Sequence, residues 1–211
     1  VVEPLTPDIL RRIDGTFQVP LYLTNGGAPG SMLRRDATGL PVNEGDFFTA
    51  RFRCLVPYAA TTGGAAPAVP GRGLLYGHGL LGSEREAGSS HVRDFASEHN
   101  FIACGTRWTG FEEDDLPTVF SVLTDYSNFP RFIDRQHQGV LNFMIIGRLR
   151  RHPGGFASHP ACQVGGESVI DPDATFYDGN SQGGILGGVR AAFERDIERF
   201  VLGVTGINYS T

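Results

Sequence analysis

From Gly73 onward the sequence alternates short apolar runs with stretches of helical length, and this alternation limits the available folds more than any other feature. The runs "GLLYG", "FIACGT", "ATFYDG" and "RFVLGVTGI" are strand-sized, and the segments between them are long enough to cross a sheet. Such a pattern predicts a parallel sheet with crossover helices. Residues 1–71 read differently. There "FQVPLYL" and "FFTARFRCLVP" are extended, and "TNGGAPGS" and "TTGGAAPAVPG" break the chain, so this region is expected to supply antiparallel strands. The expectation is one α/β domain over 1–211, with an N-terminal strand region at 1–71 and a core at 72–211.

Three helices are expected in the core. The first covers about Ser90 to His99, capped by a serine pair and ended by Asn100. The second runs from about Phe132 to Arg151, with Val140, Leu141, Met144, Ile145 and Leu149 spaced to pack on the sheet. The third starts at Ser181. It turns Ile185, Leu186, Val189 and Phe193 inward and leaves Arg190, Glu194, Arg195 and Glu198 in solvent.

Composition removes several classes of chemistry. All 18 basic residues are arginine, so phosphate-binding lysines, Schiff bases and lysine general bases are excluded. The net charge of -5 and the lack of basic runs argue against nucleic acid or an anionic membrane as the main partner. No apolar stretch approaches the roughly 18 residues that a membrane span needs. Cys54, Cys104 and Cys162 allow at most one disulfide, and Cys104, inside "FIACGT", reads equally well as a buried thiol. No cysteine–histidine spacing suits zinc, "DPDATFYDGN" lacks the ligand pattern of a calcium loop, and "GGILGG" lies inside a helix rather than before one. No metal or cofactor is expected.

The candidate chemistry centres on "YDGNSQGGILGG", residues 177–188. A glycine-X-serine-X-glycine pattern arises by chance roughly 0.2 times in a chain this glycine-rich, so context has to decide. A nucleophile elbow needs a strand that ends just before the serine and a helix that starts at it, because the tight turn lifts the hydroxyl off the sheet edge. "ATFYDG" and "SQGGILGGVRAAF" supply both. Gly179 and Gly183 flank Ser181 where side chains are expected to hit the neighbouring strand, and Asn180 completes the turn. Pairs of glycines four apart, Gly183 with Gly187 and Gly184 with Gly188, are expected to smooth the helix for close packing.

A second motif, "GLLYGHGLLGS" at 73–83, is an apolar strand running into His78 and Gly79. Acyl transfer needs backbone amides aimed at a developing oxyanion, one after the nucleophile and one in the loop after an earlier strand. Gln182 and Leu80 are the expected donors. Trp108 and Phe111 follow the "FIACGT" strand and are candidates for a substrate pocket, with a packing role equally open, while Glu112 to Asp115 read as a solvated helix start.

With these motifs in order, residues 73–207 resemble the first half of an α/β-hydrolase, in the branch of serine esterases and lipases with a histidine-glycine oxyanion loop. Within it the chain is most similar to large bacterial exported lipase-like hydrolases. The resemblance implies Ser181 as nucleophile, the Leu80 and Gln182 amides as oxyanion donors, a small-molecule ester as substrate and an exported protein. In that fold the acid and histidine of the triad follow the nucleophile, yet no histidine follows Ser181, and "GINYST" carries Asn208 but no carboxylate. His78, His91, His99, His137, His152 and His159 all precede it, as surface, capping or loop residues. The acid and base are therefore expected in the remainder of a hydrolase domain, missing here or on a separate chain. A non-catalytic binding scaffold and an acyltransferase using the same serine are the alternatives.

Overall fold

The computed structural model describes residues 2–3, 8–197 and 199–206. Its centre is a sheet of β1 (Val2–Glu3), β2 (Ile9–Pro20), β3 (Phe47–Pro57), β4 (Gly71–Gly77), β5 (Phe101–Thr106), β6 (Ile170–Asn180) and β7 (Phe200–Gly203). The order across it is β1-β2-β3-β5-β4-β6-β7. Pairings up to β3 with β5 are antiparallel, and those among β5, β4, β6 and β7 are parallel. Both halves expected from the sequence thus join one sheet.

Local patterning explains each part. On β2 the residues Ile9, Ile13, Phe17 and Val19 are buried and share one face, as a period of two requires. Gly15 continues that row, and its missing side chain is replaced by the Phe52 ring, which lies 2.8 Å from where a Cβ would stand. β5 is buried along its whole length, as befits a strand covered on both faces. Cys54 and Cys104 sit opposite each other on β3 and β5 and form a disulfide, so Cys104 is not a free thiol. Cys162 remains free and buried, and burial pushes its thiol up to about 11, so it is no nucleophile at neutral pH.

Helix α1 (Ser90–His99) covers one face, over Leu74, Tyr76, Phe101 and Ala103. It ends at Asn100 in the left-handed conformation, as expected. Its serine cap takes a different form: the Ser89 hydroxyl donates to the Glu86 carbonyl rather than accepting from the helix. Helices α2 (Leu116–Thr124), α3 (Phe129–Arg151) and α4 (Gln182–Phe193) lie beyond the other face. None of the described helices is long and apolar enough to cross a membrane.

Helix α3 does not present the face read from its apolar spacing. Val140, Leu141, Met144, Ile145 and Leu149 are only partly covered, whereas Arg135, Gln138, Asn142, Phe143, Ile146 and Arg150 are buried. These polar groups are tied to distant loops. The Gln138 amide donates to Pro20 O and accepts from Tyr22 N, and Asn142 donates to Thr109 Oγ1. Arg150 runs under Gly73 and donates to Thr175 Oγ1 and Gly71 O, and burial holds its guanidinium down to about 10.

On α4 only Leu186 of the expected inward residues is fully buried. Val189 and Phe193 are 43% and 63% exposed. Arg190, expected in solvent, is completely buried and pairs with Glu194, which reaches back one helical turn. Its guanidinium lies over the Tyr177 and Phe200 rings, which supply the electron-rich surface a buried cation needs. The expectations for Glu198 and Asn208 lie outside the described residues.

Candidate active site

The end of β6 turns directly into α4 through Ser181, which adopts φ 56° and ψ −118°. A residue with a side chain reaches that region only under strain, and such strain persists where the surroundings over-determine it. Here they do. Ser181 N donates to Gly203 O at 3.0 Å, and Ser181 O accepts from Ile185 N at 3.0 Å, so the peptide groups on both sides are fixed. The side chain of Ser181 itself is exposed at the sheet edge.

The glycines around it are required by contact. A Cβ on Gly183 would stand 2.1 Å from Gly77 O, so this position meets the neighbouring strand β4 as expected. At Gly179 the obstacle is different: a Cβ there would stand 2.6 Å from Gly183 O and 2.6 Å from the Tyr177 hydroxyl, the elbow's own helix and strand. The Tyr177 hydroxyl fills the space under the turn and donates to Gly183 O. Burial raises its pKa, so it stays a proton donor. Nothing in the sequence distinguished this tyrosine; only its place two residues before Gly179 on an apolar strand hinted at it. Asn180 is exposed and lays its Oδ1 over Gly203, 1.9 Å from where a side chain would begin.

The loop after β4 is held by His78, which is 1% exposed. Trp108 N–H points at Nε2 from 2.8 Å, so that nitrogen must accept, and Nδ1 must carry the proton it donates to Gly79 O at 2.9 Å. With both nitrogens used and burial lowering its pKa to about 4, His78 is a neutral brace between two loops. Gly79 N–H is committed to Glu86 Oε2 at 2.9 Å, and Gly82 N–H closes a turn onto Gly79 O. Leu80 N–H takes no hydrogen-bond partner among the described residues, while its side chain is 64% exposed. Gln182 N–H, in the first turn of α4, has no intrahelical partner. The Gln182 side chain is buried, and its Nε2 donates to Phe111 O at 2.9 Å, tying the elbow to the loop after β5.

That loop divides its two aromatic residues between the roles left open for them. Trp108 is fully buried and stacks on Phe143 with centroids 3.7 Å apart, so it belongs to the core and not to a pocket. Phe111 is 8% exposed and borders an apolar trough between α2, α3 and α4. The acidic run does open a helix, with Glu113–Asp115 leading into α2, but it is only partly solvated. Arg107 binds Glu84, Glu112, Glu113 and Asp114 at 2.5 to 2.8 Å, and Arg135 binds Asp115 at 2.8 Å, with Glu112 and Asp115 both buried.

The other histidines keep local roles. His91 lies 3.2 Å from the Tyr76 hydroxyl and 3.3 Å from Ser89 Oγ, and His137 bonds Ile133 O. His152 and His159 accept N–H groups two residues on, and His99 packs edge-on to Phe95. Among the described residues none of them hydrogen-bonds Ser181.

No protein-family model matches the sequence, and no curated protein sequence matches it. Solved structures do match. A protein from Klebsiella pneumoniae subsp. pneumoniae named as a dienelactone hydrolase superposes over 93% of this chain and 61% of its own, with a TM-score of 0.50 and 12% identity. One from Bacteroides fragilis named as an acetyl xylan esterase superposes over 95% of this chain and 45% of its own, with a TM-score of 0.51 and 12% identity. The chain has the α/β-hydrolase fold, and it spans roughly half to three-fifths of the length of these two structures.

Proposed function

We propose that the protein is a serine hydrolase acting on carboxylic esters, with Ser181 as its nucleophile. The observation that carries this reading is the strained and exposed Ser181 at the strand-to-helix junction, φ 56° and ψ −118°, braced on both peptide sides. Strain of that kind in a non-glycine residue is kept where it serves chemistry.

In the proposed cycle Ser181 Oγ forms a bond to the ester carbonyl carbon while its proton passes to a general base. The carbonyl oxygen, now negative, accepts from the Leu80 and Gln182 amides, each such donor being worth roughly 10²–10³ in rate. The carbon–oxygen bond to the alcohol then breaks, and the alcohol leaves with the proton from the base. Water repeats the sequence on the acyl-enzyme and releases the acid. The base and its carboxylate partner come from outside this chain, joining the sheet beyond β7. Two features support that assignment: every described histidine has another role, and among the described residues β7 pairs with β6 alone and leaves Val201 and Leu202 exposed.

Intact-mass analysis of the naturally encoded polypeptide after exposure to a fluorophosphonate tests the reading. One adduct that disappears in Ser181→Ala is expected. A full polypeptide that stays unlabelled would leave a binding scaffold with the same architecture, the reading favoured by the absence of a base beside Ser181 among the described residues.

A further inference from the structure

The trough bordered by Phe111 is large and wholly uncharged. Its volume is about 900 Å³, and Gln136 and Tyr126 are the only polar residues in its wall. Phe111, Val122, Phe132 and Leu186 form a buried floor. Leu123, Tyr126, Phe129 and Val189 form an exposed rim. An open apolar concavity of this size on a protein surface marks a binding site rather than ordinary surface.

Its position relates it to Ser181. Ile185, on the wall, donates its N–H to Ser181 O, so the trough begins one helical turn from the elbow. Phe111, on the floor, has its carbonyl held by the Gln182 side chain, the residue next to Ser181. The two long faces of α4 differ in kind. Gly184 and Gly188 face β7, meeting Gly203 O and Leu202, while Ile185, Leu186 and Val189 face the trough. Helix α3 closes the far side with Phe129, Phe132 and Ile133, all in its first turns. Those turns lie at the Ser181 edge of the sheet, because the other end of α3 reaches the strand starts, where Arg150 meets Gly71.

We propose that this trough binds the acyl chain of the ester, and that the substrates are esters of long-chain or bulky apolar acids. The inference rests on the reading of Ser181 as nucleophile. The acyl side is chosen over the alcohol side because the leaving alcohol must take its proton from a base that joins across β7, on the opposite flank of α4. The acyl group then extends toward α3. An uncharged wall suits a neutral hydrocarbon, and each methylene buried there is worth roughly a fourfold gain in affinity.

The test uses the full natural polypeptide and two alkylphosphonofluoridates, methyl and octyl, whose alkyl group takes the place of the acyl chain. Labelling of Ser181 is followed by intact mass. The octyl reagent is expected to react at least tenfold faster, and Val119→Trp and Ile133→Trp, which narrow the trough at half-buried positions, are each expected to cut the octyl-to-methyl ratio at least fivefold. Equal rates with both reagents leave Ser181 a nucleophile and overturn the trough as acyl site; they are also the result if another part of the polypeptide covers it. If neither reagent labels, the catalytic reading falls, and displacement of 11-(dansylamino)undecanoate from Ser181→Ala then decides whether the trough binds acyl chains. Displacement by decanoate at least tenfold more effective than by butyrate supports the trough, and equal or absent displacement overturns it. A preference for long alcohols over long acids, in a matched series of p-nitrophenyl alkanoates and alkyl acetates, also overturns the assignment.

Discussion

Helices α3 and α4 cover the same face of the same sheet, yet they meet it largely by different means. Helix α4 removes side chains: Gly183, Gly184 and Gly187 bring its backbone against Gly77, Gly203 and the Tyr177 ring. Helix α3 instead fills the space with Gln138, Asn142 and Arg150, each hydrogen-bonded to a distant loop or strand. The difference teaches which part of the molecule must be exact in shape. Near Ser181 the contacts are backbone to backbone and tolerate no added atom. Under α3 most of them are made by side chains, which can be exchanged at the cost of the bonds they carry, with Gly139 against the Thr109 backbone as the exception.

The sharpest way to break the comparison is Gly183→Ala. The new methyl would stand 2.1 Å from Gly77 O, with backbone on both sides and nothing that can rotate away. Stability is expected to fall by more than about 3 kcal/mol, read from the urea midpoint, with loss of Ser181 labelling. Next comes acid. His78 is held neutral down to about 4 in the folded state but protonates near 6.5 when unfolded. Below 6.5 the unfolded state therefore binds the extra proton. The full contribution is present above that pH, and about 3 kcal/mol of it is lost as pH falls to about 4. A His78→Asn variant should show a shallower acid limb in a series of urea titrations; an unchanged limb would refute the role given to His78.

On α3 the expected losses are smaller. Asn142→Leu removes the donor to Thr109 Oγ1 and an acceptor for Gln138, and it should cost about 1–3 kcal/mol while leaving the fold intact by circular dichroism. The smallest effect has the opposite sign. Gly188→Ala adds a methyl whose nearest neighbour is Leu202 Cδ1 at 3.7 Å, an ordinary contact, so thermal unfolding should show a gain of about 0.5–1 kcal/mol from helix propensity. A loss there would mean that α4 tolerates no side chain on either strip.

The same contrast explains what could be read in advance. Strand alternation, the limits of α1 and the glycine spacing around Ser181 are local patterns, and each has a direct local cause. The buried face of α3 is not local. Gln138 is inside because Pro20 and Tyr22 lie across from it, 118 and 116 residues away. Arg190 is inside because Tyr177 and Phe200 offer their ring faces. By spacing alone these residues belong to a wet surface. For Trp108 two roles stayed open for a related reason: its place after a strand suits a pocket or the core, and only the distant partners decide, its backbone serving His78 while its ring stacks on Phe143.

Strand β7 has a consequence for handling the protein. It pairs with β6 on one side only among the described residues, and Val201 and Val204 are 64% and 81% exposed. A bare edge of this kind offers a row of unpaired backbone donors and acceptors to any other chain. In concentrated solution, with nothing laid across it, the protein should join edge to edge into larger species, and the tendency should rise with concentration and fall when a peptide or partner strand occupies the edge.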